Sequence, residues 1–165
     1  SKIKVRPGIM RLINELKGKG IRLGLVSSTS EVNLLNLFEK GLKIDHKQIF
    51  DIVAHGDSTP NKKPSPEIYE WALEKLRLPS QACIAIEDSP RGLDASLKAN
   101  ISTIVTPSIL TLGEEFKGAK LVVSDLGEPD RAFELIAGKD FGHKFVDTDL
   151  LSKVIDILAD NKQIP

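Results

Sequence analysis

Residues 84–95 read IAIEDSPRGLDA, and this stretch decides the fold. The apolar run at residues 83–86 has the length of a buried parallel strand and stops at Glu87 and Asp88. Ser89, Pro90, Arg91 and Gly92 then open a helix. Two adjacent carboxylates therefore stand at the carboxyl end of a strand, where open α/β sheets collect their ligands. Oxygen donors in that place suit a hard cation such as Mg²⁺, which makes Glu87 and Asp88 candidate metal ligands. A structural alternative stays open: Asp88 caps the helix, with Pro90 in its first turn.

Upstream, residues 62–66 read KKPSP. Pro64 keeps Lys63 out of helical angles and Pro66 can begin the next helix, so Lys63 is a cation on a stiffened loop, able to neutralise a phosphate or a carboxylate. The helix at residues 67–76 places Ile68, Trp71, Ala72 and Leu76 on one face, and Trp71 reads as core. Before it, residues 49–54 (IFDIVA) read as a strand or strand end, and His55 is a loop histidine without a metal-ligand partner. Earlier still, Pro7 and Gly8 open a helix with Ile9, Leu12, Ile13 and Leu16 on its buried face, ended by Gly18 and Gly20. Residues 21–26 (IRLGLV) form a strand, followed by Ser27, Ser28, Thr29 and Ser30 before a helix at residues 31–40. Hydroxyls and free N–H groups in such a turn suit phosphate oxygens; the alternative is that Ser30 is simply a helix cap.

Downstream, Leu93, Leu97 and Ala99 mark a helix face, and residues 101–105 form another strand. Residues 106–117 read as a loop with a short helical portion, 121–123 as a short strand and 127–129 as a turn. Residues 138–147 are too polar and glycine-rich to place. A tail helix buries Leu151, Val154, Ile155 and Leu158. Alternating helix and strand patterns predict an α/β fold: a three-layer, Rossmann-like parallel sheet with helices on both faces. Ser27, Lys63 and the Glu87–Asp88 pair each lie just after a strand or in the loop that follows it, so the fold is expected to bring them to one rim.

The chain has 165 residues, 41% of them hydrophobic, enough for a real core in one domain spanning residues 1–165. Its 23 basic and 23 acidic residues cancel, which removes any bulk electrostatic case for nucleic acid or an anionic membrane as partner. The lone Cys83 excludes an intrachain disulfide and fits a core thiol in a reducing compartment such as the cytoplasm or, for a plant protein, the plastid stroma. No run is long enough for a membrane span, and residues 1–8 do not read as a signal peptide.

Three pieces of sequence together resemble the haloacid dehalogenase-like superfamily of phosphohydrolases: RPGIMRLINELKGKGIRLGLVSST, KKPSPEIY and IEDSPRGLDAS. The resemblance covers about residues 1–127, and VTPSILTLGEEFKGAKLVVSDLGEPD (residues 105–130) is similar to its CbbY-type sugar-phosphate phosphatases, some of which act on xylulose bisphosphate. The resemblance implies a Mg²⁺-dependent phosphatase of a sugar phosphate or bisphosphate. An aspartate attacks phosphorus in such enzymes, and a second aspartate two residues later serves as acid and base. Ser27 and Lys63 would be catalytic, Ser27, Ser28 and Lys63 would contact phosphate, and Glu87 with Asp88 would hold Mg²⁺.

The family's Asp-x-Asp strand and helical cap are not found ahead of RPG. Asp147 and Asp149 in FVDTDL form an Asp-x-Asp pair, but only two apolar residues precede it, and Asp149 reads as a helix cap. The expectation is a piece of a phosphatase, inactive as this isolated chain; a phosphate-binding or structural module and a sugar-phosphate mutase core are the alternatives. Without the family's first strand, the strands before Ser27 and Glu87 leave edges to be satisfied. Direct pairing of the two, or a partner chain supplying a strand by exchange, is expected ahead of substitution by residues 2–5.

Overall fold

The computed structural model describes residues 4–160, with side chains through residue 155. In chain order the elements are α1 (Ile9–Gly18), β1 (Gly24–Val26), α2 (Glu31–Asn36), β2 (Ile52–Ala54), α3 (Glu67–Leu76), β3 (Ile84–Glu87), α4 (Pro90–Lys98), β4 (Ser102–Val105), β5 (Leu121–Val123), β6 (Leu135–Gly138) and α5 (Thr148–Asp160). β1 and β2 form one parallel pair, and β3, β4, β5 and β6 form a sheet in that order. β3, β4 and β5 are parallel; β6 returns antiparallel to β5.

Strand alternation sorts the core into two faces. Ile104 packs with Leu12, Leu16, Leu121, Val123, Leu150 and Val154, which puts α1 and α5 on one side. Val105 and Val122 turn the other way to meet Leu93 of α4, while Ala85 packs with Ile68, Ala95 and Ala99 of α3 and α4. The expected α/β layering, with helices on both faces of parallel strands, is thus present. Two expectations change. β6 covers residues given no element from the sequence and reaches the unplaced stretch only at Gly138; its half-exposed Leu135 and exposed Ile136, Ala137 and Gly138 carry no alternation, and its place comes from pairing with β5. Residues 106–117 form turns and no helix, with Ile109 and Leu110 exposed.

Direct pairing of β1 with β3 is also corrected. Among the described residues β1 bonds only β2 and β3 only β4. The Lys63 side chain spans their carboxyl ends, binding the Val26 carbonyl at 3.1 Å and the Glu87 carboxylate at 2.5 Å, where a ladder would otherwise run. Lys4 and Val5 form no strand, and residues 2 and 3 lie outside the described part.

Local signals account for the helix ends. Gly8 has φ 81°, and a Cβ there would lie 2.5 Å from the Gly127 carbonyl oxygen, so the entry to α1 needs glycine. Ser30 caps α2 through its Oγ, which accepts from Asn33 N; the helix is shorter than expected and widens into a π-type turn over Leu37–Leu42. Asp147, not Asp149, caps α5: its Oδ1 accepts from Leu150 N at 2.8 Å. The buried residues of α5 are Leu150 and Val154, with Leu151 and Ile155 half-buried, while the Leu158 side chain lies outside the described part. No described helix is long and apolar enough to cross a membrane.

Candidate active site

Lys63 is the centre of the site. It precedes Pro64 through a cis peptide and follows an exposed polar loop, yet it is only 9% exposed. Its ammonium reaches across from the loop before α3 to the last residues of β1 and β3. Of the two partners expected for this lysine, a phosphate or a carboxylate, the structure supplies the carboxylate.

The adjacent carboxylates of 87 and 88 part company. Glu87 ends β3 on the inward side and is 7% exposed, whereas Asp88 is exposed. Glu87 Oε1 accepts from the Lys63 ammonium and from the Tyr69 hydroxyl. Oε2 lies over the first turn of α4, where a Cβ on Gly92 would sit 1.8 Å away; only glycine leaves room for this carboxylate. Ser89 caps that helix, its Oγ accepting from Gly92 N at 3.2 Å. Ser89 therefore fills the capping role that Asp88 was a candidate for, and the Asp88 carboxylate faces outward. Its backbone carbonyl accepts from the Thr111 hydroxyl at 2.5 Å, which holds the loop after β4 against it.

Ser27 follows Val26 directly. Its N–H donates to the Ala54 carbonyl, extending the β1–β2 ladder, and its Oγ accepts from Thr29 N at 3.1 Å. Ser28 is exposed beside it. Ser27, Lys63, Glu87 and Asp88 thus meet at one end of the sheet, as their positions after successive strands predict.

Three contributors escaped the sequence reading. Tyr69 sits in the first turns of α3, buried at 6%, while Trp71, expected in the core, is only partly buried and has Lys75 Nζ 5.6 Å from its ring. The available signal was an aromatic with a polar tip, two helical turns before Leu76, next to KKPSP. Burial first, then the Glu87 and Asp88 carboxylates, push the Tyr69 phenol far above its usual value, so it stays a donor. Arg91 donates to the Lys63 carbonyl and pins the loop to α4. Arg6 binds the carbonyls of Thr106, Pro107 and Ser124 at 2.9, 3.0 and 2.8 Å, tying the loops after β4 and β5 together.

Asp88 offers the free hard oxygen donor that Mg²⁺ takes, and Mg²⁺ is commonly held by one or two carboxylates with water and substrate phosphate completing its shell. Glu87 could join only by exchanging Lys63 and Tyr69 on Oε1 or by turning Oε2 away from Gly92. Among the described residues no group of three or more His, Cys, Asp or Glu side chains stands ready for a metal. Of the two carboxylates, Asp88 is therefore the one whose exposed oxygens fit a first ligand to such an ion. Chemically the rim can neutralise an anion through Lys63 and bind its oxygens through Ser27 and Ser28.

Asp147 and Asp149 belong elsewhere. Both lie at the start of α5, where His143 pairs with each at 3.2 Å and Lys153 pairs with Asp149 at 2.8 Å. Thr148 there binds Glu15 of α1. Cys83 is half-buried against the α3–α4 cluster, and burial pushes its thiol up.

With this geometry in place, the comparisons agree. Residues 1–106 match the haloacid dehalogenase-like hydrolase family. Protein CbbY of Cereibacter sphaeroides is 41% identical over 126 residues, covering 76% of this chain and 55% of that protein. A phosphorylated carbohydrates phosphatase of Thermotoga maritima is 34% identical over 102 residues, 62% of this chain and 46% of that one. A crystal structure of a CbbY mutant from Rhodobacter sphaeroides, in complex with xylulose-(1,5)bisphosphate, superposes with a TM-score of 0.73 at 41% identity, covering 76% of this chain and 56% of that one. The chain belongs to the haloacid dehalogenase-like hydrolases, and within them it is of the CbbY type. It spans about half the length of these relatives.

Proposed function

We propose that this chain carries the phosphate- and metal-binding rim of a sugar-phosphate phosphatase. The observation that carries this is the Lys63 ammonium, which joins the end of β1 beside Ser27 to the end of β3 beside Asp88. In this reading Ser27 and Ser28 donate to phosphoryl oxygens. Lys63 offsets their charge with the ammonium N–H that neither Val26 nor Glu87 uses. Asp88, with Glu87 behind it, would hold Mg²⁺, which when bound draws charge from the phosphoryl oxygens. A phosphorylated sugar is the substrate class, supported by the bisphosphate held in the CbbY structure and by the carbohydrate phosphatase relative.

Among the described residues the carboxylate paired with Lys63 is that of Glu87, and no aspartate pairs with it; Asp147 and Asp149 are committed to the start of α5. The isolated chain is therefore expected to bind phosphate without turning it over. The open edges of β1 and β3 would accept a strand from a longer chain or a partner. The test is NMR titration of the 165-residue chain with inorganic phosphate and Mg²⁺. Shifts confined to Ser27, Ser28, Lys63 and Asp88, and abolished by Lys63→Ala, support the reading. Shifts elsewhere, or none, sink it, and release of sugar from a sugar phosphate that Asp147→Asn abolishes would move the nucleophile to the start of α5.

A further inference from the structure

Tyr69 is buried on α3, and its hydroxyl donates to the oxygen that holds Lys63. The terminal torsion of a glutamate is soft and roughly twofold, so a single ammonium contact does not fix the plane of its carboxylate. Here that plane is held from both ends. Oε1 receives two donors, and Oε2 rests in the space left by the missing Gly92 side chain. The ammonium lies 5.1 Å from the centre of the Tyr69 ring, so ring and hydroxyl both border the charge. Because Lys63 has three N–H donors and binds Val26 and Glu87 with two, a fixed Glu87 also fixes where the third points.

We propose that Tyr69 is a positioning residue: by donating to Glu87 Oε1 it locks the carboxylate that aims the Lys63 ammonium at the rim. A ring that merely filled space would need no hydroxyl, and Phe would replace it without consequence. The benefit to anion binding rests on the reading of Ser27, Lys63 and Asp88 as a phosphate site; the locking of Lys63 does not.

Two measurements on the full 165-residue chain decide it. Tyr69 is the only tyrosine, so the tyrosine Raman doublet reports its hydroxyl alone and, in the unsubstituted protein, should show a strong hydrogen-bond donor. A weak or absent donor signature overturns the proposal without any variant. In the ¹⁵N-lysine-labelled protein, the Lys63 ammonium should give a protected signal that Tyr69→Phe exposes to water exchange about tenfold faster, the scale of one lost charge-assisted bond, while the amides of β4 and β5 stay in place. An unchanged Lys63 signal overturns it. Titration with inorganic phosphate forms a separate arm: Tyr69→Phe should weaken binding by roughly tenfold. If the unsubstituted chain does not respond to phosphate, the phosphate-site reading fails, and the Raman and ammonium results still decide the role of Tyr69.

Discussion

β4 and β5 are buried along their whole length, whereas β1 is exposed at Gly24 and half-buried beyond it, and β2 is fully buried only at Ala54. All four are short, and the β1–β2 and β4–β5 pairings are both parallel. What differs is the company they keep. β4 has a strand on each side, α1 and α5 over one face and α4 over the other, so all four of its residues are buried, Ser102 even leaving its Oγ without a hydrogen-bond partner. β1 has one strand neighbour and, toward β3, only the Lys63 side chain at its end. The candidate site is built across this less buried junction, where a cation joins two strand ends by point contacts. Stability is concentrated in one region and ligand chemistry in the other, as expected where binding groups sit on the less stable part of a fold.

The comparison breaks most sharply at Ile104, which is fully buried between α1, α5 and the neighbouring strands. Ile104→Ala should lower unfolding free energy by about 2–5 kcal/mol, read from the urea midpoint at constant m-value. A loss near zero would mean that the four-stranded region is no tighter than the two-stranded one. Gly92→Ala comes next. Its methyl would occupy the space of Glu87 Oε2, and the forced shift should cost about 1–3 kcal/mol and displace the Lys63 ammonium signal. Stability and Lys63 both unchanged would show that the carboxylate is free to move.

Val53→Ala in β2 should cost only about 1 kcal/mol, since the side chain is already half open. Urea titration beside Ile104→Ala makes the contrast between regions direct. The smallest effect concerns acid. Burial pulls the Asp125 carboxyl up, but the Arg131 guanidinium and the Gly127 N–H outweigh it and hold it below its ordinary value. A carboxyl depressed in the folded state contributes stability above its unfolded value and loses it as pH falls through the folded one. Asp125→Asn should therefore flatten the acid limb of a stability–pH curve while leaving Lys63 untouched. An unaltered limb would show that Asp125 makes no folded-state contribution.

How much was legible follows from the kind of signal. α3 is read from its own residues because Ile68, Ala72 and Leu76 repeat at helical spacing and Pro66 marks the start. Ser27, Glu87 and Asp88 were legible because they stand at or just after the end of a strand, and Lys63 because Pro64 stiffens its loop. Tyr69 was passed over, and Trp71 was read deeper in the core than its partly buried place, for one reason. Both are aromatics on α3, and which one turns inward depends on the acceptor that waits there; Glu87 belongs to a strand 18 residues away. β6 was missed because its residues carry no alternation of their own and take their conformation from β5.

By itself the sequence determined the α/β class, the order of the elements apart from β6, and the placing of Ser27, Glu87 and Asp88 at strand ends with Lys63 on a proline-stiffened loop, because periodicity, prolines and caps act within a few residues. Only the tertiary structure decided that Glu87 turns inward to Lys63 and Tyr69 while Asp88 faces out, and that Gly92 makes room for this. It also decided that β1 and β3 are joined by a side chain. Those outcomes depend on which distant groups arrive together, and a buried charge takes whatever partner the fold brings within reach.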